Sequence, residues 1–138
     1  MRVFLDTNVV ISAFATRGLS ADVMRLLLTE HELLTSETVL IETRRVLEEK
    51  FGTPAAKADA VERLLRRHHV EPIPDADPPV KVRDHDDEPI LAAAISAGAH
   101  ILVTGDSDLL SVADRVEALR IMTPRAFWET VQIGRAHV

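Results

Sequence analysis

The chain has no cysteine, and only five of its 138 residues are aromatic. Without cysteine there are no disulfides and no soft thiolate ligands, which fits a reducing cytoplasm. The four Phe and one Trp fall mostly in apolar contexts, so no stacking platform for bases is evident. Also missing are an apolar run near the length of a membrane span and a basic segment leading into an apolar one. The expectation is a cytoplasmic protein with no membrane partner. No Ser-His-Asp set, glycine-rich phosphate loop or pair of histidines at zinc-ligand spacing can be found. Positive charge is scarce as well: 16 Lys and Arg face 22 Asp and Glu, a net charge of −6.

What is present suits one folded domain. Hydrophobic residues make up 46% of the chain, and a domain of this size buries roughly 68% of the surface of its unfolded chain. Short apolar runs at Val3–Leu5, Leu33–Leu34, Val70–Ile73, Ile101–Val103 and Ile121–Met122 alternate with helical patterns. That alternation predicts an α/β fold, a mostly parallel sheet flanked by helices. The Pro-rich stretch from Pro72 to Pro79 has no helical future, and no repeat interrupts the chain. The last six residues, Ile133-Gly134-Arg135-Ala136-His137-Val138, are what one frame of a common sequencing-adapter sequence encodes (ATC GGA AGA GCA CAC GTC). The expected domain is therefore 1–132, with 133–138 an adapter-derived or disordered tail in which His137 carries no functional weight. His31, His85 and His100 are read as structural or surface groups.

Four acids stand in apolar or turn-forming surroundings: Asp6, Glu42, Asp87 and Asp106. Asp6-Thr7-Asn8 follows the strand Arg2-Val3-Phe4-Leu5 where the chain turns into a helix, and the carboxyl ends of strands are where open α/β sheets bind ligands. One Asx residue would suffice to cap that helix, and here two flank a Thr. Glu42 lies three residues after Val39 and four before Val46, on the inward stripe of a helix over Ser36 to Lys50; the alternative is pairing with Arg45. Asp84-His85-Asp86-Asp87-Glu88-Pro89 leads into an Ala-rich helix ending at Gly98. Asp87, three before Ile90 and four before Leu91, is expected on its buried face, with Asp84, Asp86 and Glu88 as caps or solvated charges. After the strand Ile101-Leu102-Val103, Thr104-Gly105-Asp106-Ser107-Asp108 turns into a short helix. Asp106 and Asp108 could both reach one ion, or one could cap while the other binds; Asp106, nearer the strand end, is the expected ligand, Asp108 a supporting residue that can cap the helix, and the Thr104 hydroxyl can position a carboxylate. Burying several carboxylates together is costly unless something neutralises them, and an all-oxygen set suits a hard divalent cation.

Taken in order, these residues resemble the PIN domain family, in particular PIN-family toxins of bacterial toxin-antitoxin systems. The likeness runs from Met1 to about Val131: a strand into Asp-Thr-Asn, the helical Glu42, Asp87 before an Ala-rich helix, and Thr-Gly-Asp-x-Asp-Leu-Leu at Thr104 to Leu110. The resemblance implies a three-layer α/β/α fold and a single-stranded-RNA endonuclease. It further implies that Asp6, Glu42, Asp87 and Asp106 hold one or two Mg²⁺ or Mn²⁺ ions, supported by Asn8 and Thr104. A cognate antitoxin and a homodimer are its expected partners. Arg44, Arg45 and Lys50 on the Glu42 helix, with further basic residues after it, offer RNA contacts, a solvated face or a surface for an acidic partner. Two other readings compete. One is a non-catalytic PIN-like interaction module; the other is a haloacid-dehalogenase-like phosphatase with Asp6 as nucleophile, whose motif wants a second Asp where Asn8 stands.

Overall fold

The computed structural model describes the backbone of residues 1–136 and side chains through residue 133. Five strands form one sheet: β1 (Arg2–Leu5), β2 (Glu32–Ser36), β3 (His69–Glu71), β4 (Ile101–Val103) and β5 (Arg120–Met122). Their order is β3-β2-β1-β4-β5, and every pair is parallel. The interior strands read as unbroken apolar runs because both faces are covered: Val3, Phe4, Leu5, Leu33, Leu34, Leu102 and Val103 have no exposed surface. Each expected strand is present. The third is displaced toward His69, since Pro72 has no N–H to give to a ladder.

Among the described residues seven α-helices connect and cover the sheet: α1 (Thr7–Ala15), α2 (Leu19–Glu30), α3 (Glu37–Glu49), α4 (Ala55–Leu65), α5 (Glu88–Ser96), α6 (Ser107–Leu110) and α7 (Pro124–Ala136). The chain winds outward from β1 to β3, then crosses back to β4 and on to β5. Right-handed crossovers in opposite directions put helices on opposite faces, which gives the three layers. Strand order therefore reverses between β1 and β4, and loops leaving two such strands diverge to open a crevice at their carboxyl ends. Asp6 follows one of these strands and Thr104 the other.

Local chemistry sets the boundaries that matter. Ser36 ends β2 and caps α3, its hydroxyl accepting the Val39 N–H at 3.2 Å. At the end of α5, Gly98 takes φ +73° while the Ala99 N–H reaches the Ala94 carbonyl at 3.0 Å, a turn that redirects the chain into β4. Helix α7 runs through position 132, and Ile133 to Ala136 continue it, whereas His137 and Val138 lie outside the described residues. Among the described residues no helix is long and apolar enough to cross a membrane.

Because the Ser36 cap starts the helix that carries Glu42, replacing it should be felt in stability. Ser36→Ala is expected to cost about 1 kcal/mol, seen as a lower urea midpoint with an unchanged denaturant slope. A midpoint equal to wild type would show that the buried Ser36 hydroxyl contributes nothing.

Candidate active site

The end of β1 is stitched to the end of β4 by the Asp6 N–H, which donates to the Val103 carbonyl at 2.9 Å. Asp6 is 4% exposed. It caps α1, its Oδ1 accepting the Thr7 N–H at 2.7 Å, and its Oδ2 accepts the Thr104 hydroxyl at 2.7 Å. The same Thr104 oxygen accepts the Asp106 N–H at 2.9 Å, so one buried side chain holds both acid-bearing loops. The choice between cap and crevice residue dissolves for Asp6, which is both.

Glu42 reaches the same place from α3. The Thr7 hydroxyl donates to its Oε2 at 2.8 Å, and Arg45 turns away to Glu49 at 3.7 Å. Asn8 does not join them. Its side chain is exposed and forms no hydrogen bond among the described residues, while Thr7 beside it points inward. Thr7 was legible in principle, since it precedes the buried Val10 and Ile11 by three and four residues on one helix face.

The acidic run before α5 departs from expectation in three ways. His85 to Asp87 form a 3-10 turn and α5 begins at Glu88, so Asp87 stands just before the helix, as the family likeness implies, but the helical spacing that put it on the helix's buried face does not apply to it. Glu88, expected in solvent, is 8% exposed and meets His85 Nδ1 at 2.5 Å. Asp84 caps the turn by accepting the Asp86 N–H at 2.9 Å, but its carboxylate also lies within 4.8 Å of those of Asp87 and Asp108. Pro89 is accommodated in the first turn of α5, where no N–H is needed.

At the β4 loop the two aspartates exchange their expected roles in part. Asp106 is the cap of α6, with Oδ1 accepting the N–H groups of Asp108 at 2.7 Å and Leu109 at 3.3 Å. Asp108 instead turns its carboxylate toward Asp84 and Asp87. Asp106 still lies near enough for its charge to raise both Asp6 and Asp87.

The electrostatics are those of uncompensated negative charge. Burial holds Asp6 above the usual carboxylate range, against the pull of its hydrogen bonds to Thr104 and Thr7, and the charges of Asp106 and Glu42 push the same way as burial. Asp87 is pushed up to about 7 by burial and then by the charges of Asp106, Asp6 and Asp84. Among the described residues no Lys, Arg or His forms an ion pair with Asp6, Glu42, Asp84, Asp87, Asp106 or Asp108. The Asp87 Oδ2 is fully buried and has no hydrogen-bond partner. An orphaned carboxylate oxygen facing other acids fits a hard divalent cation, whose ligands are carboxylate oxygens.

The basic residues do not converge here. Arg44 is held by Glu48 at 2.8 Å and Asp59 at 2.6 Å, and Arg66 by both oxygens of Glu37 at 2.9 Å and by Glu62 at 2.9 Å. These contacts clasp α3 to α4 and occupy Arg44. Lys50, at the exposed end of α3, forms no ion pair among the described residues.

Comparison with known proteins agrees with this architecture. A PIN domain family model matches residues 2–108, and the chain belongs to that family. No curated protein matches the chain. Among solved structures, the fold is similar to that of VapBC2 from Rickettsia felis, crystallised on a DNA fragment from its promoter. That likeness has a TM-score of 0.60 and 16% identity, and covers 88% of this chain and 97% of that one. It is also similar to VapC20 from Mycobacterium tuberculosis, described as a Sarcin-Ricin loop cleaving toxin, with a TM-score of 0.59 and 22% identity over 86% of this chain and 98% of that one.

The raised carboxyls have a signed consequence. Between 3.8, the ordinary Asp value, and about 7, the folded protein keeps a proton on Asp87 that the unfolded chain has released. Stability therefore falls as pH rises through that window. In chelator, Asp87→Asn should melt with wild type only below about pH 3.8, and the margin by which it melts above wild type should widen from there through pH 5 to pH 8. A variant that melts below wild type at pH 8 would contradict the assignment of a strained charge to Asp87.

Proposed function

We propose that this PIN domain is a metal-dependent endoribonuclease that cleaves single-stranded RNA, the toxin of a toxin-antitoxin pair. The observation that supports the reading is that Asp6 is raised by the charges of Asp106 and Glu42 and Asp87 by those of Asp106 and Asp6, beside the strand-order reversal, with no basic side chain paired to these acids among the described residues. The fold likeness to VapBC2 and VapC20 supports the toxin assignment and, with it, a small antitoxin partner that covers the acidic crevice and a homodimeric state.

Asp6, Glu42, Asp87 and Asp106 are the residues that would hold one or two Mg²⁺ or Mn²⁺ ions. Such an ion supplies a water activated for in-line attack on phosphorus and shields the charge that grows on the phosphate. The chain's own part is to aim carboxylates. Thr104 fixes Asp6 and the Asp106 loop relative to each other. Asp106 is locked through its cap to α6, leaving Oδ2 outside those two bonds. Asp87 must give up its proton before it can act as a ligand, so ion binding is expected to strengthen as pH rises toward 8. Neutralising this centre also removes the local repulsion of phosphate that a net charge of −6 implies. Lys50, which forms no ion pair among the described residues, is the better candidate for RNA contact on α3, followed by Arg45, whose pairing with Glu49 at 3.7 Å is looser than the contacts of Arg44 with Glu48 and Asp59.

A pooled RNA substrate tests the proposal. Cleavage is expected with Mg²⁺ or Mn²⁺ and none in excess chelator. Asp6→Asn should lower turnover by at least about a hundredfold, beyond what loss of an outer-shell partner costs. Asp106→Ala should cost more than Asp108→Ala, since only Asp106 acts on Asp6. Full activity in chelator would refute the metal mechanism.

A further inference from the structure

We propose that Thr7, the middle residue of Asp6-Thr7-Asn8, is a positioning residue that fixes the Glu42 carboxylate against the other acids. The inference rests on the reading of those acids as a cation site and adds a residue to its supporting structure.

Thr7 opens α1 and is 6% exposed. Its backbone N–H donates to Asp6 Oδ1 at 2.7 Å, and its hydroxyl donates to Glu42 Oε2 at 2.8 Å. One residue thus supplies donors to two acids that arrive from different elements. A carboxylate can only accept, so the Thr7 hydroxyl is committed to donating in this contact. Glu42 has three rotatable bonds before its carboxylate, and Thr7 is its one hydrogen-bond partner among the described residues. Without that donor no other hydrogen bond among the described residues orients the carboxylate. Its other oxygen, Oε1, remains outside this bond.

Burial alone does not direct a threonine hydroxyl to an acid in this fold. Thr43 follows Glu42 on α3 and is 2% exposed, and its hydroxyl has no hydrogen-bond partner among the described residues; the buried Thr35 hydroxyl on β2 has none there either. Thr104 provides the parallel case, its hydroxyl holding Asp6 from the end of β4 as Thr7 holds Glu42 from the start of α1. Each of the two strands at the reversal is therefore followed by a buried threonine that secures an acid belonging to another element. Asn8, the polar residue that the motif draws attention to, makes no such contact.

The test compares wild type with Thr7→Val, Thr7→Ser and Thr43→Val, and runs a cycle with Glu42→Ala and the Thr7→Val/Glu42→Ala double variant. Three quantities are read: Mn²⁺ affinity by calorimetry, kcat and KM on single-stranded RNA, and melting in chelator. Thr7→Val should weaken Mn²⁺ binding and lower kcat by about tenfold or more, the scale of an outer-shell partner, with KM within about twofold. Thr7→Ser should recover most of both, and Thr43→Val should leave both unchanged. In the Glu42→Ala background, Thr7→Val should add no further loss. Wild-type Mn²⁺ affinity in Thr7→Val, equal losses in Thr43→Val, or full additivity with Glu42→Ala would each overturn the proposal. If Thr7→Val does not fold, Thr7→Ala takes its place in every comparison. Should wild type itself bind no Mn²⁺, the cation reading fails. The Thr7–Glu42 contact is then judged by the melts in chelator, where coupling upholds the positioning and additivity overturns it.

Discussion

Mutual repulsion among carboxylates at the carboxyl end of β1 and β4 is the constraint around which the rest of the structure is organised. Two like charges about 5 Å apart repel by roughly 3 kcal/mol at an effective dielectric of 20. That is a large fraction of the stability of a typical domain. The carboxylates of Asp84, Asp87 and Asp108 lie within 4.8 Å of one another, and the charges of Asp106 and Glu42 act on the buried Asp6. The fold tolerates this by raising the affinity of Asp6 and Asp87 for protons, and by surrounding Asp6 with donors that carry no net charge. A core packed on both faces of a parallel sheet supplies the opposing stability.

The same constraint explains the distribution of positive charge. Arg44 and Arg66 are engaged between α3 and α4 by Glu37, Glu48, Asp59 and Glu62. Among the described residues no guanidinium pairs with these acids, a contact that would neutralise them permanently and leave no demand for a cation. Hydroxyl and backbone donors do the positioning. They orient a carboxylate without cancelling its charge, and that distinguishes Thr7 and Thr104 from an Arg at either place.

Much of this was legible in the residues. Val3–Leu5 and Ile101–Val103 announce buried parallel strands by being apolar throughout, and Ser36 followed by the Val39, Thr43, Leu47 stripe announces α3. Asp6 and Thr104 were legible because a polar residue directly after such a strand must lie at the sheet's carboxyl edge. The misplacements share one cause, which is that turn geometry decides them. Asp84 to Glu88 pass through a 3-10 turn, whose three-residue period spoils an argument from helical spacing and buries Glu88 beside His85. Asp106 and Asp108 are two residues apart in a loop, and which of them caps depends on the φ and ψ of Asp106, which composition does not encode. Thr7 gives the weaker signal in the residues because its flanking Asx residues are the stronger markers of a helix start, though only one of them turns inward.

The central claim is that these acids are held together for a divalent cation. The most direct measurement is anomalous diffraction from crystals grown with Mn²⁺. The result expected is one or two peaks inside the ring of Asp6, Glu42, Asp87 and Asp106, within ligand distance of their carboxylate oxygens. No peak there at saturating Mn²⁺, with the four carboxylates ordered, would contradict it.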